Sequence, residues 1–210
     1  MITTAQFSML ESLFDYYNKE LFEGKLNDCL INMNCKKSYY GWFRPESWYN
    51  SNNAKEKNIH EISINTDHFN DDDIKYHQTL VHEMVHLWQH VFGKRSRSGY
   101  HNKEWAQKME AIGLIPSSTG KEGGAKTGQK MADYVDPNGL FIKMFNLLEE
   151  KKVKYKPTHC INTVKNNNGS ATKDRTKTKY TCSCKNNVWG KPNLLIICGV
   201  CKKNYIEEPK

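Results

Sequence analysis

Leu80-Val81-His82-Glu83-Met84-Val85-His86-Leu87-Trp88 is the stretch on which the reading of this chain turns. An α-helix advances 3.6 residues per turn, so His82 and His86 leave the same face one above the other and can close on one metal ion. Glu83 leaves the helix about a third of a turn away, where a carboxylate can take a proton from water held at that ion without itself being a ligand. Around these residues, Ile74, Leu80, Val81, Met84, Val85, Trp88, Val91 and Phe92 form a broad apolar stripe. Asn70 and Asp71 to Asp73 supply a cap and negative charge at the start, and Gly93 supplies the stop. The pattern predicts a largely buried helix of roughly 20 residues. Two histidines and a glutamate are costly in such a place unless something pairs with them, and a zinc ion would.

Catalytic zinc normally takes three protein ligands and leaves the fourth position to water, so a third donor is needed. His90 continues the i, i+4 series, but three successive turns spread over about 12 Å, too far for one ion. His101 follows the polar turn Lys94-Arg95-Ser96-Arg97-Ser98-Gly99-Tyr100 and precedes a short helix carrying Trp105, Met109 and Ile112 on one side. Glu104 on that helix competes with it, as in the glutamate-type zinc peptidases. The metzincin pattern requires glycine at 89 and histidine at 92, where this chain has Gln89 and Phe92, and is excluded. Tyr100 reads as a loop anchor, and His60, His68, His77 and His90 as surface or core histidines.

The segment from Leu80 to Trp88, followed by Gly99-Tyr100-His101-Asn102-Lys103-Glu104-Trp105 and Met109, closely resembles the SprT-like family. There a HExxH helix is followed by a loop and then Gly-x-His opening a helix with an aromatic residue and a methionine at this spacing. At the other end, Lys179-Tyr180 leads into Cys182-x-Cys184, thirteen residues, and Cys198-x-x-Cys201. That arrangement looks like the zinc ribbon at the C-terminus of bacterial members. The resemblance covers the N-terminal helix to about residue 115, and again 179 to 206. It implies an α+β, zincin-like metalloprotease domain, helices packed on a small mixed sheet, followed by a small zinc ribbon. It favours His101 over Glu104 as third ligand of a catalytic Zn2+ beside His82 and His86, with Glu83 catalytic. Cys182, Cys184, Cys198 and Cys201 would hold a structural Zn2+. The Cys-x-Cys half is tighter than the usual two-residue gap, which leaves His159 or Cys160 as replacement ligands. The resemblance further implies a protease acting near DNA, on proteins bound or covalently trapped there.

Charge is divided unevenly along the 210 residues. Residues 1–150 hold 17 Lys or Arg against 20 Asp or Glu, net −3, while 151–210 hold 14 against 3, net +11. A basic tail of this kind attracts polyphosphate, and Trp189 and Tyr205 could add stacking on exposed bases. Lys177, Lys179, Lys185, Trp189, Lys202 and Lys203 are the candidate nucleic-acid contacts, to single-stranded or distorted DNA. Against this stands the ordinary role of such lysines as a solvated linker and as neighbours of zinc-bound thiolates. The seven cysteines are odd in number and four have metal-ligand spacing, which argues against a disulfide framework. No apolar run approaches a membrane span, and the start lacks the pattern of a signal peptide. The expected location is intracellular, cytoplasmic or at the nucleoid in a bacterium or phage and nuclear in a eukaryote, with no membrane partner and a monomeric state.

Along the chain, Phe7, Leu10, Phe14, Tyr17 and Leu21 predict a first helix ended by Gly24. Cys29 to Asn34 and Tyr39 to Phe43 read as a paired meander, and Glu61 to Asn65 as another strand. Ile62 to Asn65 is a candidate edge for a substrate strand. Tyr39, Tyr40, Trp42, Trp48 and Tyr49 read as sheet packing. Residues 116 to 136 are glycine-rich and read as a loop, and Pro137 to Glu150 as an amphipathic helix with Pro137 in its first turn. Asn166 to Thr172 reads as a flexible link. The expected organisation is a protease domain at 1–115, loop, short helix and basic linker at 116–178, and a ribbon at 179–210. Two rival functions remain: a nucleic-acid-binding or transcription-associated protein with little proteolysis, and a general peptidase with a purely structural ribbon.

Overall fold

The computed structural model describes residues 1–34, 39–49, 58–66, 73–150 and 177–208. Cys35, His68, the proposed cap residues Asn70 to Asp72, His159, Cys160, the basic run from Lys151 to Arg175 and the link at 166–172 lie outside the described residues. The chain separates into two compact units, 1–162 and 163–210.

In the first unit, α1 (Ile2–Phe22), β1 (Cys29–Asn34), β2 (Gly41–Trp48), β3 (Ile59–Asn65) and α2 (Asp73–Phe92) come first. They are followed by β4 (Tyr100–His101), α3 (Lys103–Ala111), β5 (Leu114–Ser117), β6 (Gly128–Gln129), β7 (Ala132–Val135) and α4 (Leu140–Glu150). The apolar stripe of α2 forms the centre of the core: Leu80, Val81, Met84, Val85 and Leu87 have no exposed surface. Each such side chain contributes about 1.5–3 kcal/mol by leaving water. Leu10, Leu13, Phe14, Tyr17 and Leu21 of α1 and Phe141 and Leu148 of α4 join the same core. Phe92, by contrast, ends α2 half exposed. No helix among the described residues is long and apolar enough to cross a membrane.

The sheet order is β1-β3-β2, with β1 parallel and β2 antiparallel to β3. Two expectations are corrected here. Strands β1 and β2 do not form a meander, because β3 lies between them. Nor can Ile62 to Asn65 receive a substrate strand, since both edges of β3 are already paired. The cause is legible in burial: Ile62, Ser63, Ile64 and Asn65 of β3 are all fully buried, as suits a strand covered on both sides and both edges. Among the described residues β1 and β2 each have one strand neighbour, so the outer edges of this sheet are theirs. Of the aromatic residues read as sheet packing, Trp42 is half-buried and Trp48 donates its Nε1 to Glu61 of β3 at 2.7 Å, whereas the tyrosines contribute little. Tyr39, Tyr40, Trp48 and Tyr49 are all exposed.

The segment read as a loop from 116 is also structured and belongs to the first unit. Strand β5 pairs antiparallel with β7, and β4 with β6. Met131 and Phe141 are buried in the core, which ties this stretch to it. Helix α4 begins at Leu140 rather than at Pro137, because the chain must first pass Gly113 at very close range. Gly113 has φ +86, and a Cβ there would lie 2.7 Å from the Gly139 Cα. Two facing glycines permit this crossing, and Phe141 N then donates to Ile112 O at 2.8 Å.

The second unit is a three-stranded antiparallel sheet, ordered β10 (Ile206–Glu207), β8 (Thr178–Thr181), β9 (Asn187–Gly190). Among its described residues the buried apolar ones are Tyr180, Cys182 and Cys198. So small a core cannot hold a fold of this size by hydrophobic burial, and another staple is required.

Candidate metal centre

Helix α2 presents His82 and His86 on one face, as the i, i+4 spacing requires, and the chain doubles back so that β4 delivers His101 opposite them. One ring nitrogen from each lies within 4.8 Å of the others. The His86 and His101 Nε2 atoms stand 3.1 Å apart. Tetrahedral zinc with bonds of about 2.0–2.1 Å spaces its nitrogen ligands by about 3.3 Å, so this separation fits one edge of such a site. Trp105, fully buried on α3, lies against all three rings, with centroids 5.0 Å from His82, 5.3 Å from His86 and 4.4 Å from His101.

The remaining ring nitrogens decide whether lone pairs face the centre. His101 Nδ1 lies 3.2 Å from Gly128 O, and a carbonyl only accepts, so Nδ1 carries the proton and Nε2 the lone pair. His82 Nδ1 lies 2.8 Å from Asp133 Oδ1, and donation to that carboxylate leaves its Nε2 for the centre. Burial, and next the charge of His82, hold the His86 and His101 imidazoles neutral, His86 well below its ordinary range and His101 at about 4. For His82, burial alone would act downward, but the Asp133 hydrogen bond and the charges of Glu83 and Asp133 outweigh it and raise its pKa. His86 and His101 are thus neutral donors, while His82 retains its proton without metal; a divalent cation would displace that proton from Nε2, with Asp133 holding Nδ1–H.

Glu83 sits beside this cluster and is buried. Desolvation pushes its carboxyl up to about 7, Asp133 adds to the rise, and His82 and the backbone amide of Phe43 act against it. Strand β2 therefore passes directly over Glu83. Gly41 makes the passage possible, since a Cβ there would meet Thr79 Cγ2 at 2.9 Å, Ser63 O at 3.0 Å and Glu83 Cγ at 3.2 Å.

Glu104, the competing third ligand, is used elsewhere. Its Oε2 accepts from Gln89 Nε2 at 2.9 Å and from Lys94 N at 2.7 Å, fastening the exposed end of α2 to α3. Asn102 caps α3 by accepting from Trp105 N at 3.0 Å and also takes Gln89 Nε2 at 2.7 Å. This clasp fixes the residue adjoining His101. His90 points away from the cluster, against Glu46, Arg95 and His60. His77 is buried and hydrogen-bonded to the Tyr17 hydroxyl at 2.9 Å.

In the second unit, Cys182, Cys184, Cys198 and Cys201 bring their sulfurs within 4.8 Å of one another. Cys184 and Cys198 are 3.6 Å apart, close to the roughly 3.8 Å edge of a tetrahedron with 2.3 Å Zn–S bonds, while Cys182 and Cys184 are closer at 2.9 Å. Backbone amides of Cys201 and Val200 lower the Cys198 thiol to about 6, and that of Lys203 lowers Cys201. The shared hydrogen bond with Cys182 raises Cys184 to about 12. Each cysteine pair is followed by a lysine in the left-handed region, Lys185 at φ 64 and Lys202 at φ 58, which turns the chain back after the second sulfur. Lys177, Lys185, Lys202, Lys203 and Trp189 are exposed. Lys179 is not free, since its Nζ is 3.0 Å from both carboxylate oxygens of Glu208.

Asp133, Gln78 and Gly128 are parts of the centre that the sequence did not announce. Asn102 could have been found, because asparagine just before a short amphipathic run is a helix-cap signal. The sequence model of the SprT-like family matches residues 10–122, more than half of the 210-residue chain. No curated protein and no solved structure matches the chain. The matched span contains His82, Glu83, His86 and His101, and it ends before Gly128, Asp133 and the four cysteines.

Proposed function

The chain belongs to the SprT-like family, a metallopeptidase-type domain, and from that premise we propose that it is a zinc-dependent metalloendopeptidase acting on proteins bound or crosslinked to DNA. The observation that carries this reading is the convergence of His82, His86 and His101 within 4.8 Å beside a buried glutamate. Zinc held by those three imidazoles would polarise the scissile carbonyl and lower the pKa of water. Glu83 is the proton carrier: it accepts a proton from the attacking water and returns it to the departing amine. Burial lifts the metal-free carboxyl to about 7 and a neighbouring cation acts the other way, so the group can both take up and return a proton. The free edge of β2, rather than β3, is where an extended substrate would pair, because it passes over Glu83. The Phe43 amide is already directed at Glu83 and Pro45 has no amide proton, so the outward donor that could serve a substrate is the Gly41 amide.

The cysteine cluster is read as a structural zinc ribbon. Its exposed Lys177, Lys185, Lys202, Lys203 and Trp189 support contact with nucleic acid, whereas Lys179, held by Glu208, drops out of that set. The Lys179–Glu208 pair also favours a second reading, a general peptidase whose ribbon lysines serve the ribbon itself. One experiment tests both. The zinc-loaded protein is incubated with a basic DNA-binding protein, with and without single-stranded DNA, in parallel with Glu83→Gln. Cleavage that needs Glu83 and rises with DNA supports the proposal. Cleavage indifferent to DNA supports the general peptidase, and cleavage unchanged in Glu83→Gln removes the mechanism.

A further inference from the structure

We propose that Asp133 is a positioning residue of the metal centre, so that β6 and β7, beyond the family match, complete the site begun by α2 and β4. The inference rests on the reading of His82, His86 and His101 as metal ligands. Asp133 Oδ1 takes His82 Nδ1 at 2.8 Å, and Oδ2 takes Gln78 Nε2 at 2.6 Å. The same Gln78 nitrogen lies 2.9 Å from the Asp133 main-chain oxygen. Gln78 stands one turn before His82 on α2, so the helix holds at two points the carboxylate that orients its own ligand. The His82 and Asp133 side chains are only 13% and 7% exposed. In the same way, the antiparallel pairing of His101 with Gly128 places the Gly128 carbonyl on His101 Nδ1.

Charge balance points the same way. Glu83 and Asp133 are two buried carboxylates, and among the described residues neither has a Lys or Arg ion-pair partner. The ion pair recorded for Asp133 is with His82 itself. Asp133 places a buried carboxylate on the far nitrogen of His82 with no Lys or Arg beside it among the described residues, an arrangement that suits a cation held by that ring. A carboxylate on the far nitrogen of a metal-bound imidazole fixes its tautomer and raises its basicity, and losing such a partner typically lowers metal affinity about 10–100-fold. Asp133 lies inside a strand, where no helix end requires it as a cap.

The test uses the full chain and zinc alone. Zinc per chain is measured first, followed by competition with a chromophoric chelator, with the thiolate site as internal reference. Wild type should hold two zinc ions. Asp133→Ala should lower affinity at the imidazole site about 10–100-fold and leave the thiolate site unchanged. Asp133→Asn keeps an acceptor for His82 but loses the charge, and should fall between. Imidazole 15N spectra of zinc-loaded wild type should show His82 protonated at Nδ1 and metal-bound at Nε2. Only one, thiolate-bound, zinc in wild type would overturn the metal reading itself. Two zinc ions with unaltered competition in both variants, or His82 bound through Nδ1, would overturn the role of Asp133 and leave the metal reading standing.

Discussion

Replacing Glu83 by glutamine should abolish turnover and, in the metal-free protein, make the fold more stable. A carboxyl whose pKa stands at about 7 rather than 4.5 is held by the fold mainly in its protonated form. The folded chain then binds that proton more tightly than the unfolded chain, so stability falls as pH rises from 4.5 through about 7. At pH 8 the ionised group costs about 3 kcal/mol, and at pH 4 almost nothing. Glutamine has the shape of the protonated acid and no charge to lose. Chelator-treated Glu83→Gln should therefore exceed wild type by about 3 kcal/mol at pH 8, roughly 10 °C in melting temperature, and match it at pH 4. Urea unfolding followed by far-ultraviolet circular dichroism measures this, because all described helices lie in the first unit. Zinc should shrink the difference, since a cation beside Glu83 favours its charged form. A variant no more stable than wild type at pH 8, or equally stabilised at both pH values, would refute the assignment of Glu83 as a desolvated carboxyl held for chemistry.

Three further substitutions probe the surroundings. Gly41→Ala forces a methyl to within 2.9 Å of Thr79 and 3.2 Å of Glu83; it should cost about 1–3 kcal/mol and, by displacing Glu83, lower kcat/KM about 100-fold, both read on one preparation by melting and peptide cleavage. Gly113→Ala meets the Gly139 backbone at 2.7 Å with φ +86; about 2–4 kcal/mol of stability should go, measured by urea unfolding, with zinc content unchanged at permissive temperature. Glu104→Gln should loosen the clasp at the end of α2 by about 1 kcal/mol while zinc per chain stays at two, and loss of one zinc would restore Glu104 as a ligand.

How far the sequence discloses these parts depends on how local their causes are. The α2 imidazoles, the carboxyl of Glu83 and the cysteine pairs follow from local spacing, and the structure gathers the three histidines and the four cysteines. His101 required only a turn and a short helix whose periodicity was visible. Alternation of Glu61 to Asn65 identifies β3 as a strand but not its neighbours, and only burial on all sides shows that it is central. Asp133 was invisible for a related reason: its partner His82 is 51 residues away, and a single carboxylate in a glycine-rich stretch carries no local signal. The start of α4 depends on the Gly113–Gly139 crossing, a long-range contact that outweighs the preference of proline for a helix's first turn. Exposed aromatics at Tyr39, Tyr40 and Trp48 show that aromatic content near a strand does not by itself imply burial.

The most direct measurement is anomalous diffraction at the zinc edge from crystals of the zinc-loaded protein. The account requires a peak about 2.0–2.1 Å from the Nε2 atoms of His82, His86 and His101, in addition to one among Cys182, Cys184, Cys198 and Cys201. A peak among the sulfurs with none between the three imidazoles would contradict it.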